Sequence, residues 1–144
     1  MAALFSGHWA DPSATEPGYG LTTADVAAFE RGRGLDGIPI TVNHHGLQHT
    51  LALLDAFKIP VTKASFGNAL SRTATGAARS VGRVIRSGPG TAVLFQIDDG
   101  FPGIREMLRR GLFNGLSLTH VDSGGRKEAL ELSLTSDPAR ERAT

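Results

Sequence analysis

The stretch GLFNGLSLTHV (Gly111–Val121) decides how this chain is read. Within it, Leu116 and Leu118 alternate with Ser117 and Thr119, the period-two pattern of a strand with one apolar and one polar face. Ser117 sits at its centre. Two other stretches give that serine a chemical context. Upstream, in IPITVNHHG (Ile38–Gly46), Ile38, Ile40 and Val42 alternate with Pro39, Thr41 and Asn43, so a strand runs into His44. Downstream, EALELSLTSDPAR (Glu128–Arg140) places Leu130, Leu132 and Leu134 on one face of a strand and Glu131, Ser133 and Thr135 on the other. A glutamate in mid-strand is unusual unless its face is wet or its charge is paired.

The rest of the chain reads as short elements divided by glycine and proline. Leu4–Ala10 is an opening strand, followed by a Pro- and Gly-containing loop. Leu21–Arg31 reads as a helix with Thr22 or Thr23 as N-cap and Asp25 in its first turn. Leu47–Lys58 has helical spacing and stops before Pro60. The span 62–78 is rich in Ser, Thr, Ala and Gly and reads as a mobile loop or insertion. Ser80–Arg86 and Thr91–Ile97 form two strands joined by Ser-Gly-Pro-Gly. Phe101–Arg110 is helical and Gly111 ends it. Strands interspersed with helices indicate one domain over 1–144, α+β, built on an antiparallel-rich sheet or barrel.

Composition narrows the chemistry. The 144 residues carry a formal net charge of +1, so no global field calls for nucleic acid or a membrane surface. Basic residues gather between Lys58 and Arg86 without acids, but aromatic interleaving beyond Phe66 is missing, which argues against nucleic acid. No apolar run is long enough to span a bilayer, and the N-terminal residues lack the order of a signal peptide. Cysteine is absent, which removes disulfides, thiolate metal sites and a cysteine nucleophile. His45 and His49 are spaced like zinc ligands on a helix, yet no glutamate lies between them and no third ligand is evident. No metal or cofactor is expected.

What remains is nucleophilic chemistry. A serine hydroxyl is weakly nucleophilic and needs a base within hydrogen-bond reach, with a third group to orient that base. Ser117, His44 and Glu131 supply these three roles, with Glu128 as the alternative acid. A non-catalytic scaffold-binding module that docks an acidic partner on the basic segment is the competing reading.

IPITVNH (Ile38–His44), SVGRV (Ser80–Val84), PGIREMLRRG (Pro102–Gly111) and GLSLTH (Gly115–His120) resemble, in that order, segments of the herpesvirus capsid maturation proteases, the assemblins. ELSLTSDPA (Glu131–Ala139) is similar to the closing strand of tailed-phage prohead proteases. The resemblance implies a β-barrel of about seven strands surrounded by helices. It implies His44 as base and Ser117 as nucleophile, and aligns Glu131 with the third member. It places oxyanion-stabilising groups at Ala139 and Arg140. The implied activity is endopeptidase cleavage of the scaffold protein and of the protease precursor inside the procapsid. The implied partners are scaffold and shell proteins and a second copy of the chain, in the host nucleus for a herpesvirus-like system or the cytoplasm for a phage-like one. Val61-Thr62-Lys63-Ala64-Ser65 is similar to a release site cut between Ala64 and Ser65, although a chance Ala-Ser pair in an alanine-rich loop is the favoured explanation.

Overall fold

The computed structural model describes residues 3–9, 22–32, 34–73, 80–88, 90–113, 115–123 and 126–135. Among these residues six strands and four helices follow one another as β1 (Ala3–His8), α1 (Thr23–Gly32), β2 (Pro39–Val42), α2 (Leu47–Ala56), α3 (Lys63–Thr73), β3 (Gly82–Ser87), β4 (Ala92–Ile97), α4 (Pro102–Arg109), β5 (Gly115–Ser123) and β6 (Arg126–Thr135). The strands form one sheet in the order β1-β4-β3-β2-β6-β5.

The architecture is α+β, with a curled, mixed sheet that makes a half-barrel. The expected antiparallel-rich barrel of about seven strands is met in part: four of the five strand pairings are antiparallel, while β2 runs parallel to β6, and among the described residues the strands number six and form a half-barrel. Neighbours joined by short turns must pair antiparallel, as β3 with β4 and β5 with β6. β2 and β6 are separated by most of the chain, so no tight turn constrains their direction. The edge strands β1 and β5 approach one another, yet each pairs along only one side among the described residues.

Apolar side chains on one face of the sheet, including Ile40, Val84, Phe95, Leu116, Leu132 and Leu134, pack beneath α1 and α4 through Phe29, Val26, Ile104 and Leu108. Trp9 is fully buried there, edge-on to Phe29 at 6.5 Å between ring centroids. The other face carries α2 and α3, whose Leu54, Phe66 and Leu70 pack on Leu130. Leu130 departs from the strict alternation expected of β6. A register shift lies between Thr119 and His120, which pair with Glu131 and Ala129, so Leu130 is the extra residue of a bulge. The bulge moves Leu130 away from Leu132 and Leu134 into the second core.

Gly82, in the SVGRV segment, is fixed by packing. A Cβ there would lie 1.9 Å from the carbonyl oxygen of Gln96 on β4. The strands can approach this closely only without a side chain.

The helix ends follow from local chemistry. Thr22 and Asp25 cap α1 reciprocally: the Thr22 N–H donates to Asp25 Oδ2 at 2.9 Å and the Asp25 N–H to Thr22 Oγ1 at 3.2 Å. The span expected to be a loop at 62–78 is a helix over Lys63–Thr73, while 74–79 lie outside the described residues. Its start is encoded by Thr62 and Ser65. The Thr62 N–H donates to Ser65 Oγ at 2.8 Å and the Ser65 N–H to Thr62 Oγ1 at 3.1 Å. The small polar residues that read as loop are in part this cap, and Phe66 and Leu70 supply the buried face that composition alone obscures.

Candidate active site

Register brings the site together. In the β5–β6 pair Ser117 lies opposite Ser133 and Thr119 opposite Glu131. In the β2–β6 pair Thr41 lies beside Ser133. Five polar side chains from three adjacent strands thus share the sheet face that carries α2 and α3. Four of them are withdrawn from water: Glu131, Ser133 and Thr41 are fully buried and Ser117 is 2% exposed, while Thr119 is half-buried. The face of Glu131 is therefore paired rather than wet.

His44 enters from the end of β2. Asn43 and His44 both adopt left-handed backbone conformations, with φ of 50° and 55°. Two consecutive non-glycine residues there are uncommon, and such strain tends to gather at functional sites. Two bonds to β6 hold the turn: the Asn43 N–H donates to the Leu134 carbonyl at 2.9 Å, and the His44 N–H donates to Ser133 Oγ at 2.8 Å. The turn aims the imidazole back over the sheet. Its Nε2 lies 2.9 Å from Ser117 Oγ and its Nδ1 lies 2.6 Å from Glu131 Oε2.

The hydrogen-bond inventory sets the tautomer. A carboxylate only accepts, so Nδ1 carries the proton and donates it to Glu131. Nε2 is left with its lone pair toward the Ser117 hydroxyl. Glu131 accepts two further hydrogen bonds, from Thr41 Oγ1 to Oε1 at 3.0 Å and from Thr119 Oγ1 to Oε2 at 3.2 Å. A buried carboxylate with three donors on its two oxygens is compensated for its lost hydration.

The residues named from sequence part company here. His44, Ser117 and Glu131 converge. Glu128 does not join them: its Oε2 accepts the N–H of Lys63 at 2.7 Å, which places a negative charge at the start of α3. The bulge at Leu130 directs it to that helix. Ala139 and Arg140 lie outside the described residues. Ala64 and Ser65 form part of the first turn of α3, where Ser65 Oγ donates to the Pro60 carbonyl at 2.7 Å. A peptide bond inside a capped helical turn is not in the extended form that a protease cleft takes. The Ala64–Ser65 pair, named above for its similarity to a release site, thus takes part in the capped start of a helix in this structure. Sequence reasoning gave no role to Thr41, Thr119 and Ser133. Their signal was the polar phase of the alternation in ITV, SLT and ELS.

Two clusters lie apart from this site. A cavity of about 1010 Å³ opens between α3 and the β2–β3–β4 part of the sheet, lined by Pro39, Lys63, Asn68, Arg83, Gln96 and Glu128 among others, and none of His44, Ser117 and Glu131 borders it. Burial pushes the Lys63 ammonium below its ordinary value, against the opposing pull of Asp36 and Glu128. On the far side of the sheet, a hydrogen bond from Arg105 holds the Asp99 carboxyl below its usual range. Among the described residues no group of three or more His, Asp or Glu side chains is arranged to hold a metal ion. No helix among them is long and apolar enough to cross a membrane.

Comparison of the chain with family models, curated proteins and solved structures finds no match.

Proposed function

We propose that this chain is a serine endopeptidase acting through Ser117, His44 and Glu131. The observation that carries the reading is a continuous hydrogen-bonded line from a buried serine through an imidazole to a buried carboxylate, with 2.9 and 2.6 Å links. A structural role requires neither the strained turn that aims His44 nor the alignment of both its ring nitrogens.

The chemistry follows from the tautomer. Ser117 Oγ attacks the scissile carbonyl as its proton passes to His44 Nε2. The imidazolium so formed is stabilised by Glu131, which keeps its charge throughout. The tetrahedral intermediate collapses, Nε2 protonates the leaving amine, and an ester to Ser117 remains. Water then attacks the ester with His44 again as base, releasing the acid and restoring the hydroxyl. The resemblance to capsid maturation proteases gives the reading its setting: scaffold protein and precursor as substrates, scaffold and shell proteins and a second copy of the chain as partners, and the procapsid interior as the place of action. It also assigns the oxyanion groups to Ala139 and Arg140.

The test is incubation of the purified protein with an unstructured peptide mixture, followed by mass spectrometry of new termini. Cleavage at a restricted set of bonds by the wild type, and none by Ser117→Ala, is expected. Equal termini from both proteins, or none from either, would favour the non-catalytic scaffold-binding module.

A further inference from the structure

We propose that three hydroxyls, those of the buried Thr41 and Ser133 and the half-buried Thr119, are positioning residues that fix the His44–Glu131 pair in its reactive arrangement. The proposal rests on the endopeptidase reading and deepens it. None of the three touches the attacking oxygen in this geometry. Thr41 and Thr119 act on Glu131, one on each carboxylate oxygen, at 3.0 and 3.2 Å. Ser133 acts on His44 through the backbone, accepting its N–H at 2.8 Å.

Each contact answers a physical difficulty. Glu131 has no exposure to water, so its charge must be met by protein donors. His44 Nδ1–H satisfies part of Oε2 only. The two threonines supply donors from the strands on either side of β6 and fix the plane of the carboxylate toward the ring. The second difficulty is the backbone. A left-handed histidine follows a left-handed asparagine, and β-branching is absent from both, but the conformation still needs an external hold. Ser133 lies directly opposite Ser117 in the ladder, so the same pairing that places the nucleophile places the latch for its base.

Charged groups near the pair are few. Glu128 and Lys63 on the same face engage the start of α3, and no Lys or Arg pairs with Glu131 among the described residues. The threonine hydroxyls are therefore the principal partners of the carboxylate besides the imidazole.

The test compares isosteric and hydroxyl-retaining variants by the rate at which a fluorophosphonate modifies Ser117. Thr41→Val and Thr119→Val keep the shape and lose the donor. Each is expected to slow the reaction roughly ten-fold, the scale of one hydrogen bond to a charged group. Thr41→Ser and Thr119→Ser return the hydroxyl and rescue the rate. Ser133→Ala slows it by a similar factor, and Thr41→Val adds little further slowing in a Glu131→Ala background, where no side chain is left for Thr41 to hold. Valine variants that fold and react at the wild-type rate, or serine variants as slow as valine ones, would overturn the proposal while leaving the endopeptidase reading intact. If the wild type does not react at all, that reading fails, and proton NMR of the His44 ring decides the positioning role alone. A far-downfield Nδ1–H resonance in the wild type that is displaced or lost in Thr41→Val and Ser133→Ala sustains it. An unchanged resonance in both refutes it.

Discussion

Replacing Glu131 by Gln removes one charge and almost no volume. An amide can occupy the same site, with its carbonyl accepting from His44 Nδ1 and Thr119 and its NH₂ donating to Thr41 Oγ1, so the fold is expected to survive. What is lost is the attraction between carboxylate and imidazolium as Ser117 gives up its proton. At the 2.6 Å separation of Nδ1 and Oε2, unit charges at an effective dielectric constant of about 20 attract by about 6 kcal/mol. Water reduces this, because the His44 side chain is 33% exposed although Glu131 is not. With about 1.4 kcal/mol per factor of ten, a slowing of roughly 10³-fold is expected. That is near the roughly 10⁴-fold typical of neutralising the acid in a Ser-His-acid triad. The assay is the second-order rate of Ser117 phosphonylation, followed by intact mass. Glu128→Gln is the control: it weakens the start of α3 by about 1 kcal/mol and leaves the rate unchanged. A wild-type rate in Glu131→Gln with a large loss in Glu128→Gln would refute the assignment of the acid.

Other outcomes follow from the packing. Gly82→Ala must displace the Gln96 carbonyl or break the β3–β4 ladder, so urea unfolding should show a loss on the order of 3 kcal/mol or more. Phe66→Ala empties the contact between α3 and the sheet and should cost about 3–5 kcal/mol by the same measurement, with hydrogen exchange rising first in α3. Lys63 is disfavoured as a cation by burial, so the unfolded chain binds the extra proton between the lowered folded value and the ordinary 10.5. Stability from this group therefore rises with pH across that window, and Lys63→Met should abolish the rise in a pH series of chemical denaturations.

Much of the site was legible because period-two alternation is a strong signal. The pattern in IPITV, GLSLT and ELSLT put Ser117 and Glu131 on the polar phase of their strands. His44 was visible as the residue into which a strand ran. The sheet order was not legible, because no local turn joins β2 to β6 and their parallel pairing depends on tertiary packing. The bulge at Leu130 was hidden for a related reason: alternation assumes one residue per pleat, and EALEL offers no glycine to mark the break. In 62–78 composition misled, since Thr62 and Ser65 are turn formers in isolation and a helix cap in context. The fixed carboxylate of Glu128 shows the same limit. Its type suited catalysis, but only the structure reveals that a helix start takes it.

The proposed chemistry requires Ser117 to be an activated nucleophile. Intact-mass spectrometry after fluorophosphonate treatment, with Ser117→Ala and His44→Ala beside the wild type, measures this directly. One adduct on the wild type, mapped to Ser117 and absent from both variants, is the predicted result. No adduct on a folded wild type, or one that persists in Ser117→Ala, would contradict the account.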